Sequence, residues 1–479
     1  MFRTMFGSKG ASKWTIYLVS FFAILIVPAF LFWFSPAGWQ ALPLNSGPGE
    51  NCVENGIEEG EATVPVGLPA PPEEPLFQRA VVAAVGDIMI HKTQFMRAHN
   101  PEDGSFNFGP SFEVITPYLQ QADLIVGNLE TTFGGEERGY SAYPRFNSPD
   151  EAAQALRGAG FDLLCTVNNH CLDSGEQGLY RTIDVVEEAG MKQFGTYKSR
   201  QDRDCPLIVE VNGIRLAFLA YTYGTNGLPI PEGRGYIVNL LVEEKIEADI
   251  ARARQGGADL IILYLHWGEE YLPEPTPEQK RWARVTAEAG ADIILGSHPH
   301  VIQPMEYIDL PGDGGNGGLG SGQNNGGGKE VFVAYSMGNF LSNQHRVAGS
   351  ISTDDVEYGQ ILYLHLEKNL NTGESFLRDV EYDLTWVNRN DRHRILPLCC
   401  LLDEETLSED IMALPASLAG RLEKDRERLQ DRLENPGATR VQHGDGSPVA
   451  NISMYTKGLQ QENRPHVALF RFYQNRFYE

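Results

Sequence analysis

The sequence predicts an α/β fold in which a sheet with many parallel strands is covered by helices, and three observations predict it. Short apolar runs rich in Val, Ile and Leu alternate through residues 79–390 with stretches of helical spacing. Several helical stretches open on Ser or Thr followed by Pro and close on Gly, the start and stop chemistry of helices. Six apolar runs end at polar or glycine-flanked residues, and in open α/β sheets ligands bind beyond the carboxyl ends of the strands. The clearest is Ala291-Asp292-Ile293-Ile294-Leu295-Gly296-Ser297-His298-Pro299-His300, where two histidines one residue apart offer imidazoles to one point in space.

The chain has 479 residues, enough for two or three units or one large α/β domain with appendages. Its formal charge of −25 argues against nucleic acid or an anionic membrane surface as the main partner, because both would be repelled. An anionic ligand would need local positive charge, from metal ions for example. Residues 1–13 carry Arg3, Lys9 and Lys13 and precede Trp14 to Phe34, an uncharged and mostly apolar segment. At 21 residues the segment is long enough to cross a bilayer core of roughly 30 Å. No Lys or Arg follows until Arg79, so the positive-inside rule puts the N-terminus in the cytoplasm and the rest outside. A cleaved signal peptide is the rival, but its apolar region usually runs ~7 to 15 residues. A single-pass anchor in the cell membrane is expected, with residues 35–78 as a disordered tether rich in Pro, Gly and Glu. Six cysteines (Cys52, Cys165, Cys171, Cys205, Cys399, Cys400) show no C-x-x-C spacing, which points away from zinc knuckles and redox motifs.

The folded part is expected over 79–390, beginning with the strand Val81 to Val85 and Gly86-Asp87, with His91 after it. Ala122 to Val126 leads to Gly127-Asn128-Leu129-Glu130. Ser148-Pro149-Asp150-Glu151 reads as an N-cap, a proline at N1 and a capping-box glutamate for a helix to about Gly158. Phe161 to Val167 leads to Asn168-Asn169-His170, and a helix runs from Glu176 to Gly190. Ile214 to Tyr221 is a strand, Val242 to Arg254 an amphipathic helix, and Ala258 to Leu265 a strand that stops at His266-Trp267-Gly268. Thr276-Pro277-Glu278 starts a helix that Gly290 ends, before the run to His298 and His300. The Gly/Asn-rich insert 309–329 separates two strands as an extended hairpin loop. Val331 to Ser336 ends at Met337-Gly338-Asn339-Phe340, and Gly359 to Leu366 and Phe376 to Leu384 finish the sheet. Residues 391–479 read as an exposed charged helix, Leu414 to Glu434, and a polar tail. Asp123, Asp162, Asp259 and Asp292 stand at the opposite strand ends and are assigned to solvent or loop capping.

An Asp, a Glu, an Asn and three or more His at one crevice are hard to borderline donors suited to Mn²⁺, Zn²⁺, Fe or Mg²⁺. Two divalent ions ~3.5 to 4 Å apart can share a carboxylate, polarise an anionic substrate and turn a bridging water into hydroxide. His99, His345, His365, His393, His443 and His466 lack such a context.

Gly86-Asp87-Ile88-Met89, Gly127-Asn128-Leu129-Glu130, Asn168-Asn169-His170, His266-Trp267-Gly268, Gly296-Ser297-His298-Pro299-His300 and Ser336-Met337-Gly338-Asn339-Phe340 occur in that order. Together they resemble the CapA family of poly-γ-glutamate capsule synthesis proteins over about Arg79 to Asp383. That family is similar to calcineurin-like metallophosphatases, which implies a four-layer α/β/β/α sandwich with a two-metal site. The resemblance makes Asp87 a ligand of the first metal, Glu130 the bridging carboxylate and Asn169 a ligand of the second. It makes His170 the general acid and His266, His298 and His300 the remaining ligands. Asn128 and Asn339 would line the substrate side. Arg145, in Tyr143-Pro144-Arg145-Phe146-Asn147, could clamp a carboxylate or phosphate; an ordinary loop arginine is the alternative. Metallophosphatases usually open with D-x-H and then G-D-x-x, whereas here Gly-Asp comes first and Asn-x-Glu second, which leaves His91 as a spare ligand.

Three functions fit these residues. One is a membrane-anchored, outward-facing protein of poly-γ-glutamate or capsule synthesis and export with a metal site that hydrolyses or handles the anionic polymer. The others are an exported metal-dependent phosphoesterase or amidohydrolase of another envelope substrate, and a non-catalytic polymer-binding partner of a membrane synthase.

Overall fold

Two sheets meet face to face, each built on a parallel core of alternating strand and helix. The computed structural model describes residues 76–311, 328–347, 350–401, 414–434 and 452–454, all within the compact unit Pro72–Glu479. The anchor Trp14 to Phe34, most of the tether, most of the glycine-rich insert and most of the polar tail lie outside the described residues. Among the described residues no helix is long and apolar enough to cross a membrane.

The strands are β1 (Phe77–Ile88), β2 (Leu124–Leu129), β3 (Leu163–Cys165), β4 (Lys192–Phe194), β5 (Leu207–Val211), β6 (Ile214–Thr222), β7 (Leu260–His266) and β8 (Ile293–Ser297). They continue with β9 (Met305–Leu310), β10 (Lys329–Ala334), β11 (Asn339–Leu341), β12 (Tyr358–Asn369), β13 (Ser375–Asn388), β14 (Arg394–Pro397) and β15 (Ile452–Met454). The first sheet runs β14-β13-β12-β1-β2-β3-β4, with β11 beside β1 and β15 beside β13. The second runs β5-β6-β7-β8-β10-β9. Parallel pairing holds from β1 to β4 and from β6 through β7 and β8 to β10, while β12, β13, β14, β5 and β9 pair antiparallel.

Strand alternation sorts the apolar side chains into three cores. Val82, Ala84, Val126 and Leu163 of the first sheet meet Leu216, Phe218, Ile262, Leu295 and Phe332 of the second. The outer face of the first sheet, with Ala83, Val85, Ile125 and Leu164, is covered by Phe112, Ile115 and Leu119 and by Ala152 and Leu156 of the helix Glu151–Ala159. The outer face of the second, with Leu219, Ile261, Leu263 and Ile294, is covered by Ile246 and Ile250 of the helix Glu243–Gln255 and by Ala283 and Ala287 of the helix Pro277–Glu288. Helix, sheet, sheet and helix therefore lie in four layers.

The four aspartates at the leading strand ends have a more specific task than loop capping. Asp123 accepts the Val81 N–H, Asp162 that of Ile125, Asp259 that of Arg215 and Asp292 that of Ile261, at 2.6–3.0 Å. Each carboxylate satisfies a backbone donor near the start of the neighbouring strand, which the ladder leaves open.

Several readings need correction. Ser148 does not cap the helix before β3: its hydroxyl pairs with that of Thr131 at 2.7 Å, and Asp150 occupies the N-cap position without a side-chain cap. Thr276 does cap its helix, in a reciprocal box with Gln279. Phe77 and Gln78, assigned to the tether, already pair with Asn369 and Lys368. The sheet continues past residue 390, because β14 pairs with β13. The charged helix is anchored rather than free: within Ala416–Glu434, Leu422, Leu429 and Leu433 are buried in the core between the sheets. Their spacing of seven and four puts them on one narrow stripe that the surrounding charge conceals. Cys165 and Cys171 are buried, and these two with Cys205 form no disulfide.

Leu429→Ala should cost about 2–5 kcal/mol of unfolding free energy by leaving a cavity under the terminal helix. Denaturant unfolding of the full chain measures it, and a cost near zero would show that the helix contributes no core.

Candidate metal centre

The crevice forms where β1, β2, β3, β7, β8 and β11 deliver their ends, and two glycines allow the backbones to close on it. A Cβ on Gly86 would sit 2.0 Å from the Gly338 carbonyl oxygen, and one on Gly296 would sit 1.9 Å from that of Tyr335. Only glycine permits such backbone approach without a shift. The chain then turns: His298 and His300 take φ of 97° and 58°, so both imidazoles leave a left-handed backbone rather than a strand.

Asp87, Asn128, Glu130, Asn169, His170, His266, His298, His300 and Asn339 are all buried, and the structure brings them together. Asp87 is already well supplied with donors. Its Oδ1 accepts the Asn128 amide at 2.8 Å, and its Oδ2 lies 2.9 Å from His300 Nδ1 and 3.3 Å from the His298 N–H. His300 Nδ1 also lies 3.1 Å from Asn339 Oδ1. With Nδ1 held between two oxygens, His300 turns Nε2 to within 3.8 Å of Glu130 Oε1. His266 is oriented in the same way, with Nδ1 2.9 Å from the Ser297 hydroxyl and Nε2 3.0 Å from Asn169 Oδ1 and 3.6 Å from Glu130 Oε1.

Two atoms in this crowd have nothing to bind. Glu130 Oε1 and His298 Nδ1 are buried without a hydrogen-bond partner. Burial, and then the charge of Asp87, push the Glu130 carboxyl well above its usual range. Burial, reinforced by the neighbouring imidazoles, holds His266 and His298 well below theirs, so both are neutral at pH 7 and keep a lone pair. A buried carboxylate oxygen with no hydrogen-bond donor, beside neutral imidazoles, is a donor set of the kind that binds a cation, and these residues fit a divalent ion.

Three groups place their ligand atoms within 4.8 Å of one another: Glu130, His266 and His298; Asp87, Glu130 and His300; and Glu270, His298 and His300. The first has atoms to spare, whereas the oxygens of Asp87 are engaged. Asn169 stands beside His266. His91 belongs to none of these groups: its Nδ1 accepts the Asn343 N–H at 3.3 Å and lies equally far from Gln94 Oε1.

His170 stands at the edge. Its Nδ1 is 2.7 Å from Asp173 Oδ2, its Nε2 is 3.4 Å from the Asn226 amide, and its ring meets Phe146 edge-on at 4.7 Å. Asp173 also accepts the Phe146 N–H at 2.7 Å. Arg145, next to Phe146, is exposed.

Sequence reading missed Asp173, Ser297 and Glu270. Asp173 lies three residues after His170, a spacing that one turn of chain brings together. Ser297 stood inside a recognised signature without a role. Glu270, four residues after His266, is exposed, and nothing in the sequence separates it from Glu269.

Full-length protein exchanged into Mn²⁺ or Zn²⁺ should retain metal, and Glu130→Gln and His298→Ala should lose most of it while Arg145→Ala does not; elemental analysis decides, and equal metal in all four would remove the site. In the metal-free protein the raised Glu130 carboxyl favours folding below the ordinary value of 4.5, and that contribution disappears as pH climbs through the folded value. Glu130→Gln should flatten that loss in thermal unfolding measured from pH 4.5 to pH 8.

The profile of the family described as "Bacterial capsule synthesis protein PGA_cap" matches residues 81–344. The capsule biosynthesis protein CapA of Bacillus anthracis is 28% identical over 276 residues, which cover 56% of this chain and 61% of that protein. The PGA biosynthesis protein CapA of Bacillus subtilis (strain 168) is 27% identical over 295 residues, 60% of this chain and 67% of that one. Among solved structures, the calcineurin-like phosphoesterase YfkN from Bacillus subtilis aligns with 74% of this chain and 100% of its own, at 14% identity and a TM-score of 0.37. The matched residues run from β1 to just beyond β11 and contain every residue of the metal groups, and the chain belongs to the bacterial capsule synthesis protein family PGA_cap.

Proposed function

We propose that this chain is a membrane-anchored, outward-facing protein of poly-γ-glutamate or capsule synthesis and export, with a metallophosphatase-type, two-metal hydrolytic site that works on the anionic polymer. Family membership and the CapA relatives support the pathway. The basic N-terminus before Trp14 to Phe34 supports the anchor and its orientation. The observation that carries the site is the pair of unpartnered buried atoms, Glu130 Oε1 and His298 Nδ1, beside neutral His266. A chain of net charge −25 needs local positive charge to hold a polycarboxylate, and divalent ions would provide it.

When bound, such ions polarise a carbonyl or phosphoryl oxygen and lower the pKa of a coordinated water towards neutrality. Glu130, His266 and His298 would hold one ion, and Asp87, Glu130 and His300 a second. Asn169 would add an amide oxygen beside His266, and Asn128 holds Asp87 Oδ1 in place. His170 is the general acid: Asp173 fixes its Nδ1, and Nε2 delivers a proton to the leaving nitrogen or oxygen. Phe146 keeps the ring edge-on, and exposed Arg145 meets a carboxylate of the polymer outside the crevice. The His170–Asp173 pair favours turnover over passive binding, because holding a polymer needs no oriented proton donor. A membrane synthase is the expected partner.

Purified chain loaded with Mn²⁺ should shorten poly-γ-glutamate, with His170→Ala slower by about 10²–10⁴-fold at unchanged metal content. Polymer length by gel electrophoresis and a parallel phosphodiester assay decide. Turnover of esters alone would move the assignment to an envelope phosphoesterase. No turnover of either, with normal capsule in cells carrying His170→Ala, would leave a binding role.

A further inference from the structure

The helix Ala416–Glu434 lies beyond the family-matched stretch, yet one of its side chains reaches two supports of the metal centre. Arg432, nearly buried, donates from Nη1 to the Ile302 carbonyl oxygen and from Nη2 to Asp355 Oδ2, both at 2.9 Å. Ile302 follows His300 by two residues, on the segment that leaves the left-handed turn. Asp355 opens the short turn Asp355–Glu357, and there the Val356 carbonyl accepts the Asn339 amide at 2.9 Å. Asn339 Oδ1 in turn lies 3.1 Å from His300 Nδ1. Two paths from one guanidinium thus end on the same imidazole, one through the backbone from 302 to 300 and one through Asp355, Val356 and Asn339.

The rest of the helix secures that turn. Arg428 joins Asp355 at 2.7 Å, Arg421 joins Glu357 at 3.0 Å, and the Tyr358 hydroxyl donates to Asp425 at 2.6 Å. Leu422, Leu429 and Leu433 share a core with Ile302, Met337 and Tyr358. A planar guanidinium spans two acceptors in fixed directions, which an ammonium does not.

We infer that Arg432 is a positioning residue for the metal centre: it ties the His300 segment to the turn that orients Asn339 and so sets the direction of His300 Nε2. The inference rests on the metal reading proposed above. Groups that hold the far nitrogen of a ligating imidazole govern metal affinity although they touch no metal.

The full chain tests it, as wild type, Arg432→Ala, Arg432→Lys and Arg426→Ala. Amide hydrogen exchange is read on metal-free protein and Mn²⁺ affinity by calorimetry. Arg432→Ala should speed exchange in residues 298–303 and 339–341 while residues 262–266 keep the wild-type rate, and should weaken Mn²⁺ binding by about 10–100-fold. Arg432→Lys, which keeps the charge, should show the same pattern to a lesser degree and carries the test if the alanine variant does not fold. Arg426→Ala removes an ion pair within the same helix, to Glu423, that touches neither Ile302 nor the turn Asp355–Glu357, and should leave both readouts near wild type. The inference is overturned if faster exchange stays within the helix, or if Arg426→Ala loosens the site as much. A wild type that binds no Mn²⁺ would instead defeat the metal reading, and the metal-free exchange pattern would still decide whether Arg432 holds the His300 segment.

Discussion

Two carboxylates withdrawn from water, Asp87 and Glu130, set the terms for everything around them. Two unit charges about 4 Å apart repel by roughly 4 kcal/mol at an effective dielectric near 20. That is comparable with much of the net stability of an ordinary domain, about 5–15 kcal/mol. Asp87 is reconciled to burial by the Asn128 amide, the His298 N–H and His300. Glu130 is not, since one oxygen has no donor. Either that carboxyl carries a proton or a cation stands beside it, and the neutral imidazoles on its open side favour the cation. Parallel strands ending at one edge, glycines at the crossings and asparagines as orienting amides then follow as ways of assembling ligands around a charge that the core could not otherwise contain.

Much of this was legible in the sequence because strand ends are local events. An apolar run followed by Gly-Asp, Asn-x-Glu, Asn-Asn-His or His-Pro-His announces both the strand and its cargo, and those side chains do converge. The leading aspartates were legible as a recurring context but not as a device, since the N–H each one satisfies belongs to a strand far along the chain. Sheet order was hidden for the same reason: β1 pairs with β12, nearly three hundred residues later. β3, β4 and β11, of three residues each, are too short to show a period. Glu270 joins the crevice from an exposed position, with no apolar run to mark it.

The charged C-terminal helix shows how composition can mislead. Glu, Lys and Arg dominate Ala416–Glu434, and a strongly charged helix reads as solvated. Three of its four arginines instead meet Asp355 and Glu357, carboxylates that are themselves buried. The same letters describe a free surface and a laced interface, and only the position of the partner carboxylates tells them apart.

The left-handed backbone at His298 and His300 also restricts how this centre can change over evolutionary time. Positive φ is tolerated by glycine and, among residues with side chains, is enriched in Asn, Asp and His. Glycine brings no donor, and β-branched or bulky residues bring strain. The conformation therefore admits replacements that bind through oxygen or nitrogen and gives no comparable welcome to a thiolate. Drift at these two positions can alter charge and affinity while staying within hard and borderline ions. The shape of the turn, and not the histidines alone, thus favours oxygen and nitrogen donors at these two positions.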